Sequence, residues 1–181
     1  MRVITGFARG KRLQTLEGVD VRPTTDKVKE GLFSAIQFEI EGRIILDLFA
    51  GSGQLGIEAL SRGAEKCWFV DKSSKSISVI ESNLKNTGLM DRARVINKDY
   101  ASFLAVSSES FDIAFLDPPY KSDMLLDALE TVSKKMNLGG VIMCECPKDF
   151  EMPSEAGQLK LYREYIYGKI KVVCYRFPEE K

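Results

Sequence analysis

The sequence predicts an α/β fold in which a mostly parallel sheet ends in an antiparallel hairpin. Between residues 44 and 146, short apolar runs alternate with amphipathic helical patterns, which is typical of parallel strands joined by helices. Two β-rich runs, 159–167 and 170–177, then follow each other across Gly168-Lys169. A short glycine-containing connection between two such runs indicates a hairpin.

Composition indicates a cytosolic globular protein of one domain, 1–181. Hydrophobic residues make up 44% and charged residues 29% of the chain, and no apolar run approaches the roughly 20 residues of a membrane span. The chain has four cysteines without zinc or redox spacing, and it has no histidine, which excludes His-containing metal sites and histidine-dependent triads. We therefore expect cytoplasmic chemistry without a metal or a membrane partner.

Residues 1–21 are predicted to form a basic N-terminal arm on a core that spans 22–181. The first twelve residues contain no acidic side chain, although the net charge of the chain is zero. Their basic residues are Arg2, Arg9, Lys11 and Arg12. Val3, Phe7 and Leu13 are the expected apolar contacts of a short strand pair in this arm. Its charge makes the arm a candidate contact for phosphate, although such runs are also common on solvated surfaces.

The core is predicted to begin with a helix from about Thr25 to Phe38, because Val28, Leu32 and Phe33 follow a helical spacing. A helix is also expected after the second strand, ending at Gly88, and another after the fourth. The five predicted parallel strands are 44–47, 67–71, 94–97, 111–116 and 141–146.

A glycine-rich loop follows the first strand and opens a helix. Gly51, Gly53 and Gly56 allow close backbone approach to a ligand, but the same spacing occurs in dinucleotide-binding proteins and in turns without a ligand. Asp47 precedes them, and a carboxylate at that position would repel a pyrophosphate yet accept a hydrogen bond from an ammonium group. S-adenosylmethionine carries an ammonium group and no phosphate. The loop therefore favours S-adenosylmethionine as the cofactor.

Aspartates follow four of the predicted strands, at Asp47, Asp71, Asp99 and Asp117. The carboxyl ends of parallel strands meet at one edge of the sheet, where ligands of such folds bind. Asp71 is expected to accept from the ribose hydroxyls. Asp99 is expected to accept from the adenine amino group, with the Tyr100 N–H beside the ring. A single aspartate at a strand end is often a turn former or helix cap, so the interpretation depends on all four.

The motif Asp117-Pro118-Pro119-Tyr120 follows the fourth strand. Its two prolines remove two N–H donors, so the loop presents the Asp117 carboxylate and the Pro118 carbonyl as acceptors. Two acceptors can hold the two hydrogens of an exocyclic amino group and orient its nitrogen for attack on a methyl group. Tyr120 offers a ring on which a base can stack.

With these motifs, the chain resembles the bacterial small-subunit (16S) ribosomal RNA guanine-N2 methyltransferases. The resemblance rests on RPTTDKVKEGLF at 22–33, DLFAGSGQLGIEALSRGA at 47–64 and DPPY at 117–120, and it covers nearly the whole chain. It implies a class I, Rossmann-like fold with seven strands and S-adenosylmethionine as the methyl donor. The implied acceptor is one guanine of 16S rRNA, which we expect to be methylated in the assembled or assembling small subunit.

Pattern and resemblance together predict three groups of site residues. The cofactor contacts are Asp47, Phe49, Gly51, Gly53, Asp71, Lys72, Asp99 and Tyr100. The catalytic residues are Asp117, Pro118 and Tyr120. The RNA contacts are Arg9, Lys11, Arg12, Arg22 and Thr24.

Two other functions remain open at this level. A DNA or RNA adenine-N6 methyltransferase would use the same DPPY loop, although the DNA enzymes usually carry a separate target-recognition domain. A non-catalytic binding module would keep the fold and lose the loop.

Overall fold

The structure is a computed structural model that describes residues 1–16, 26–119 and 122–178. In these ranges the strands are β1 (Ile44–Leu48), β2 (Lys66–Asp71), β3 (Ala93–Asn97), β4 (Phe111–Leu116), β5 (Met136–Pro147), β6 (Glu155–Ala156), β7 (Leu159–Tyr167) and β8 (Ile170–Arg176). The α-helices are α1 (Asp26–Ala35), α2 (Gln54–Ser61), α3 (Ser74–Thr87), α4 (Tyr100–Val106) and α5 (Ser122–Ser133), with a 3₁₀ turn at Met90–Arg92.

The strands form one sheet in the order β3-β2-β1-β4-β5-β8-β7-β6. The pairs from β3 to β5 are parallel, whereas β8 is antiparallel to both β5 and β7. The predicted parallel sheet with a terminal hairpin is therefore confirmed. The described residues contain eight strands instead of seven, because the two-residue strand β6 adds to the outer edge of β7.

Helices cover both faces of the sheet, as parallel strands require. Along β4, Ile113 and Phe115 point to a core shared with α1, α2, α3 and the N-terminal arm, which we call the α1 face. Ala114 and Leu116 point to the opposite core, formed with α4 and α5, which we call the α5 face.

The N-terminal arm lies on the α1 face, where its two ends pair as the predicted short antiparallel β arm. In residues 1–16, one antiparallel bridge joins Arg2 and Arg12. Phe7 was expected to make an apolar contact, but it is 79% exposed, whereas Ala8 is buried. The reason is a bend at Gly6, whose φ is 86° and where an added Cβ would lie 1.8 Å from the Ser61 carbonyl oxygen.

Two predicted boundaries differ from the structure by more than one residue. Helix α1 ends at Ala35, before a turn in which the Glu39 N–H donates to the Ile36 carbonyl, and Phe38 is exposed. Strand β5 begins at residue 136 instead of 141, because Gly139 adopts a φ of 78° within the strand while the pairing with β4 shifts register.

Candidate active site at the carboxyl edge of the sheet

The sheet register brings three candidate residues to one level at the carboxyl edge. Leu48 of β1 pairs with both Val70 of β2 and Leu116 of β4. The residues that follow this aligned row are Phe49, Asp71 and Asp117. Because β1 lies between β2 and β4, the glycine loop that follows Phe49 leaves the sheet between the two aspartates.

The loop after β1 has the backbone of a ligand-binding turn. Gly51 and Gly53 have φ values of 57° and 77°, and Gly53 caps α2 without a side-chain hydrogen bond. Phe49 has a φ of 67°, which costs a bulky residue about 1–3 kcal/mol and is found mainly at functional sites. An added Cβ at Gly53 would lie 3.2 Å from Ile80. The chain thus supports a strained turn at the level of the candidate carboxylates.

Asp71 ties β2 to this loop. One carboxylate oxygen accepts from the Gly51 N–H at 2.9 Å, and the other accepts from the Ser73 N–H at 2.8 Å. The Asn97 amide of β3 donates to the Asp71 carbonyl. Each carboxylate oxygen has a second lone pair, so Asp71 can accept further hydrogen bonds from a ligand while it holds the loop.

Asp47, predicted as a cofactor contact, has its side chain buried behind the glycine loop. It pairs with Phe69 and Phe115, whose side chains are on the α1 face, so its own side chain turns to that face and is 2% exposed. Its carboxylate accepts from the Gly56 N–H in α2 at 2.9 Å, and burial raises its pKa to about 8. Asp47 therefore anchors the helix behind the loop.

Asp99 and Tyr100 form the other wall of the edge. Asp99 caps α4 by accepting from the Ser102 N–H at 2.9 Å, and hydrogen bonds from the Ser102 side chain and N–H lower its pKa. The Tyr100 ring lies 5.2 Å from the Phe49 ring, and its hydroxyl donates to Asp127 of α5 at 2.8 Å. That hydrogen bond raises the pKa of Tyr100. From the sequence only the Tyr100 backbone is a predicted contact, and no local motif marks Asp127 as the partner of its hydroxyl.

The proline loop begins at this same edge. Asp117 is partly buried, Pro118 is buried and Pro119 is exposed. The buried ring of Pro118 fixes the backbone next to the Asp117 carboxylate. Tyr120, the predicted stacking residue, lies outside the described residues. Lys72 is exposed one residue beyond Asp71.

The residues present fit an amino-acid-bearing nucleoside cofactor. Glycines shape the loop for close approach, and Asp71 retains acceptor capacity beside it. Gln54, the first residue of α2, is buried, and its side-chain oxygen has no hydrogen-bond partner within the described ranges. Buried polar atoms are normally paired, so this oxygen at a helix start is a further position for a polar ligand group. Gln54 is not predicted from the sequence, because a glutamine after a glycine-rich turn has no special pattern.

A buried carboxylate is one of the groups that hold the N-terminal arm on the body. Glu58 of α2 accepts from the Ile4 N–H at 2.8 Å and the Thr5 N–H at 3.0 Å. It also accepts from Arg62 at 2.9 Å, and Lys29 of α1 lies 3.4 Å away. Burial lowers the pKa of Lys29, and the charge of Glu58 opposes that shift. This cluster was not predicted.

The predicted RNA contacts are only partly described. Arg9, Lys11 and Arg12 are all exposed on the outer side of the arm. Arg22 and Thr24 lie outside the described residues.

The described part of the chain contains neither a metal-binding cluster nor a membrane-spanning helix. Over residues 1–16, 26–119 and 122–178, no group of three or more Cys, Asp or Glu side chains is arranged to hold a metal ion. In the same part of the chain, every helix is too short or too polar to cross a membrane.

The parallel strands, the antiparallel β8–β7 pair and the glycine loop at the carboxyl edge define a class I methyltransferase fold. The chain belongs to the family described as "Conserved hypothetical protein 95", whose sequence profile matches residues 1–176.

Similar proteins are described as methyltransferases, in agreement with this fold. The chain is 42% identical over 181 aligned residues to "Putative rRNA methyltransferase YlbH" of Bacillus subtilis (strain 168), covering 97% of this chain and 98% of that protein. It is 32% identical to "Ribosomal RNA small subunit methyltransferase D" of Escherichia coli (strain K12), covering 97% of this chain and 89% of that protein. A solved structure described as "Putative methyltransferase yhhF from Escherichia coli" superposes with a TM-score of 0.88 at 32% identity, covering 98% of this chain and 97% of that chain.

Proposed function

We propose that this protein transfers a methyl group from S-adenosylmethionine to the exocyclic N2 of a guanine in 16S rRNA. The observation that carries the proposal is the position of Asp117-Pro118-Pro119, which leaves the sheet at the same level as the glycine loop and one strand away. An amino-group acceptor loop and a cofactor loop on adjacent strands suit methyl transfer to nitrogen. The names of the relatives support rRNA of the small subunit as the substrate.

The cofactor site uses the residues that shape the loop. Gly51, Gly53 and Phe49 set its backbone, and Asp71 accepts from the ribose hydroxyls while it holds Gly51 in place. When bound, S-adenosylmethionine supplies a methyl group activated by a sulfonium centre. Asp47 acts as a positioning residue, because its side chain is buried against α2.

The remaining cofactor contacts complete the pocket. Asp99 offers its exposed carboxylate to the adenine amino group, and the Tyr100 ring, held by Asp127, packs beside Phe49. Lys72 contributes its exposed ammonium group near the ribose end.

The acceptor nitrogen is held by the proline loop. The Asp117 carboxylate and the Pro118 carbonyl accept the two hydrogens of the amino group, which turns the nitrogen lone pair towards the methyl carbon. A nitrogen–carbon bond forms as the carbon–sulfur bond breaks, and the nitrogen then loses one proton to Asp117 or water. Tyr120 is proposed to stack on the target base, which must be unpaired or flipped to reach the loop.

The basic arm is the proposed contact with the RNA. Its exposed cations, Arg9, Lys11 and Arg12, project from a near-neutral body, so counterion release alone provides little affinity. Arg22 and Thr24 are proposed to extend the same contact. Recognition by shape then favours the assembled or assembling small subunit in the cytoplasm over short RNA.

The test uses small subunits from cells that lack this gene as the substrate. Wild-type protein with radiolabelled S-adenosylmethionine should methylate them, and nucleoside analysis should identify N2-methylguanosine. Asp117→Ala should reduce the single-turnover rate by at least about 100-fold, the usual effect of losing a positioned polar catalytic group, with cofactor affinity unchanged. Asp117→Asn, which keeps one acceptor, is the matched control and should retain part of the rate.

The alternatives predict different products. N6-methyladenosine in place of N2-methylguanosine would show that the protein is an adenine-N6 methyltransferase. Methylation of duplex DNA would show that DNA, and not rRNA, is the substrate. Failure of every substrate to accept a methyl group, with the cofactor bound, would leave a binding module.

A further inference from the structure

A groove of about 590 Å³ lies between α1 and β7, on the α1 face and outside the carboxyl-edge site. Helix α1 forms one wall. Tyr162, Arg163, Tyr165 and Tyr167 of β7, with Arg176 of β8, form the other wall. None of these five side chains has a role in the proposed chemistry, yet three aromatic rings and two guanidinium groups are concentrated there.

A β-bulge places these side chains on one face. Leu161 pairs with Tyr175, whereas Arg163 pairs with Cys174, so Tyr162 is an extra residue in β7. After the bulge, Arg163 and the two later tyrosines share the face of Cys174, and Tyr162 also lines the groove. Bulges commonly redirect side chains beside functional sites.

The groove combines an exposed ring with an uncompensated positive charge. Tyr162 is 58% exposed, and the guanidinium carbons of Arg176 and Arg163 lie 5.1 and 5.9 Å from its ring centroid. Glu39 holds Arg176 with two hydrogen bonds of 2.7 and 2.8 Å, so that arginine is neutralised and fixed. Arg163 is exposed, and within the described ranges no carboxylate lies within 4 Å of it. Rings that stack bases, next to cations that contact phosphate, are how single-stranded nucleic acid is bound.

One end of the groove opens at the carboxyl edge. Tyr167 pairs with Ile170, which pairs with Pro147 at the carboxyl end of β5. Strand β7 lies three strands from β4, or roughly 14 Å from the Asp117 loop at about 4.8 Å per strand. The distance from Tyr162 to Tyr167 is roughly 17 Å at about 3.3 Å per residue, which matches about five stacked nucleotides.

A helix glycine makes room for the Tyr167 ring. An added Cβ at Gly31 would lie 1.8 Å from the Tyr167 hydroxyl, so the tyrosine can lie across α1 only because residue 31 has no side chain. Glycine inside a helix costs about 1 kcal/mol relative to alanine. The chain therefore carries a less stable helix residue where the ring of Tyr167 crosses it.

We propose that the groove between α1 and β7 binds the single-stranded RNA segment adjoining the target guanine. A base stacks on Tyr162, Arg163 contacts a phosphate, and the strand continues past Tyr167 to the Asp117 loop. The inference rests on the proposed function, because it assumes an RNA substrate. It assigns RNA binding to a surface separate from the basic arm.

The experiment compares Tyr162→Ala and Arg163→Gln with Tyr162→Phe and Lys134→Gln, using small subunits that lack the modification. Tyr162→Ala should raise KM roughly 5- to 150-fold, the effect expected from losing one stacked base, while kcat and cofactor affinity stay within twofold. Arg163→Gln should raise KM less and flatten its salt dependence. Tyr162→Phe keeps the ring, and Lys134→Gln removes an exposed charge just after α5, so both should match the wild type.

Equilibrium co-sedimentation with the same particles measures binding without methylation and separates the two proposals. If the wild type binds but does not methylate, the proposed function fails, and weaker binding by Tyr162→Ala still supports the groove. If the wild type methylates and Tyr162→Ala keeps normal KM and binding, the groove proposal is overturned. The proposal would also be overturned if the wild type is a dimer and Tyr162→Ala is a monomer, because β7 would then be an interface between two copies of this chain.

Discussion

Replacing Lys29 by methionine should destabilise the fold through the buried charge that it leaves behind. Lys29 and Glu58 are both 0% exposed, with their charged atoms 3.4 Å apart, and the Lys29 ammonium also donates to the Arg2 carbonyl at 2.6 Å. Removing one partner of a buried pair usually costs about 3–5 kcal/mol. Arg62 still contacts Glu58 at 2.9 Å, so we expect a loss near the lower value, about 3 kcal/mol. Urea unfolding followed by the fluorescence of Trp68, the one tryptophan of the chain, measures the free energy directly.

A double-mutant cycle with Glu58→Gln separates the pair from general packing effects. Glutamine removes the charge, so Lys29→Met should cost less in the Glu58→Gln background than in the wild type, by at least about 1 kcal/mol. Lys134→Met is the control, since its pair with Glu130 is largely exposed and should change stability by less than about 0.5 kcal/mol. A loss for Lys29→Met no larger than that of Lys134→Met would refute the role of the buried pair.

Three further predictions concern the site. Because the pKa of Asp47 is about 8 when folded and about 4 when unfolded, the wild type should lose up to about 1.4 kcal/mol of stability per pH unit between those values. Asp47→Asn lacks this loss, so it should gain on the wild type in urea unfolding from pH 5 to pH 7, and parallel curves would contradict the buried acid. Asp71→Ala should weaken S-adenosylmethionine binding by about 1.5–3 kcal/mol in calorimetry, and unchanged affinity would remove the ribose contact. Changing Arg9, Lys11 and Arg12 to glutamine should reduce the slope of log K against log salt concentration for particle binding by roughly 2. An unaltered slope would exclude the arm as an RNA contact.

The elements that the sequence predicts best are those bounded by clear turn or cap residues. The bounds of β4 and β7 match the prediction, and Gly88 ends α3 with a φ of 74°. The start of β5 was wrong, because Gly139-Gly140 suggests a turn and only the pairing with β4 shows that the strand runs through it. The two-residue strand β6 is too short to leave a pattern.

Some features of the site could be predicted from the sequence and others could not. The common edge of Asp71 and Asp117 follows from parallel topology, which periodicity alone predicts. The Asp47 side chain points into the α1 face because Asp47 pairs with Phe115, one residue before the end of the strand. Periodicity does not fix the strand end to one residue, so it could not predict this orientation. The partner of Tyr100, Asp127 in α5, is 27 residues away along the chain, so no local motif could have indicated it.

The attachment of the N-terminal arm has a consequence for the time at which the protein completes its fold during synthesis. The arm leaves the ribosome first, but its partners come later: Glu58 for the amides of Ile4 and Thr5, and Asn86 for the Arg12 carbonyl. At about 5–20 residues per second, the 74 residues from Arg12 to Asn86 take roughly 4–15 seconds to make. Until Asn86 is made, the arm lacks its full set of partners on the body, and its exposed cations are free to meet ribosomal RNA.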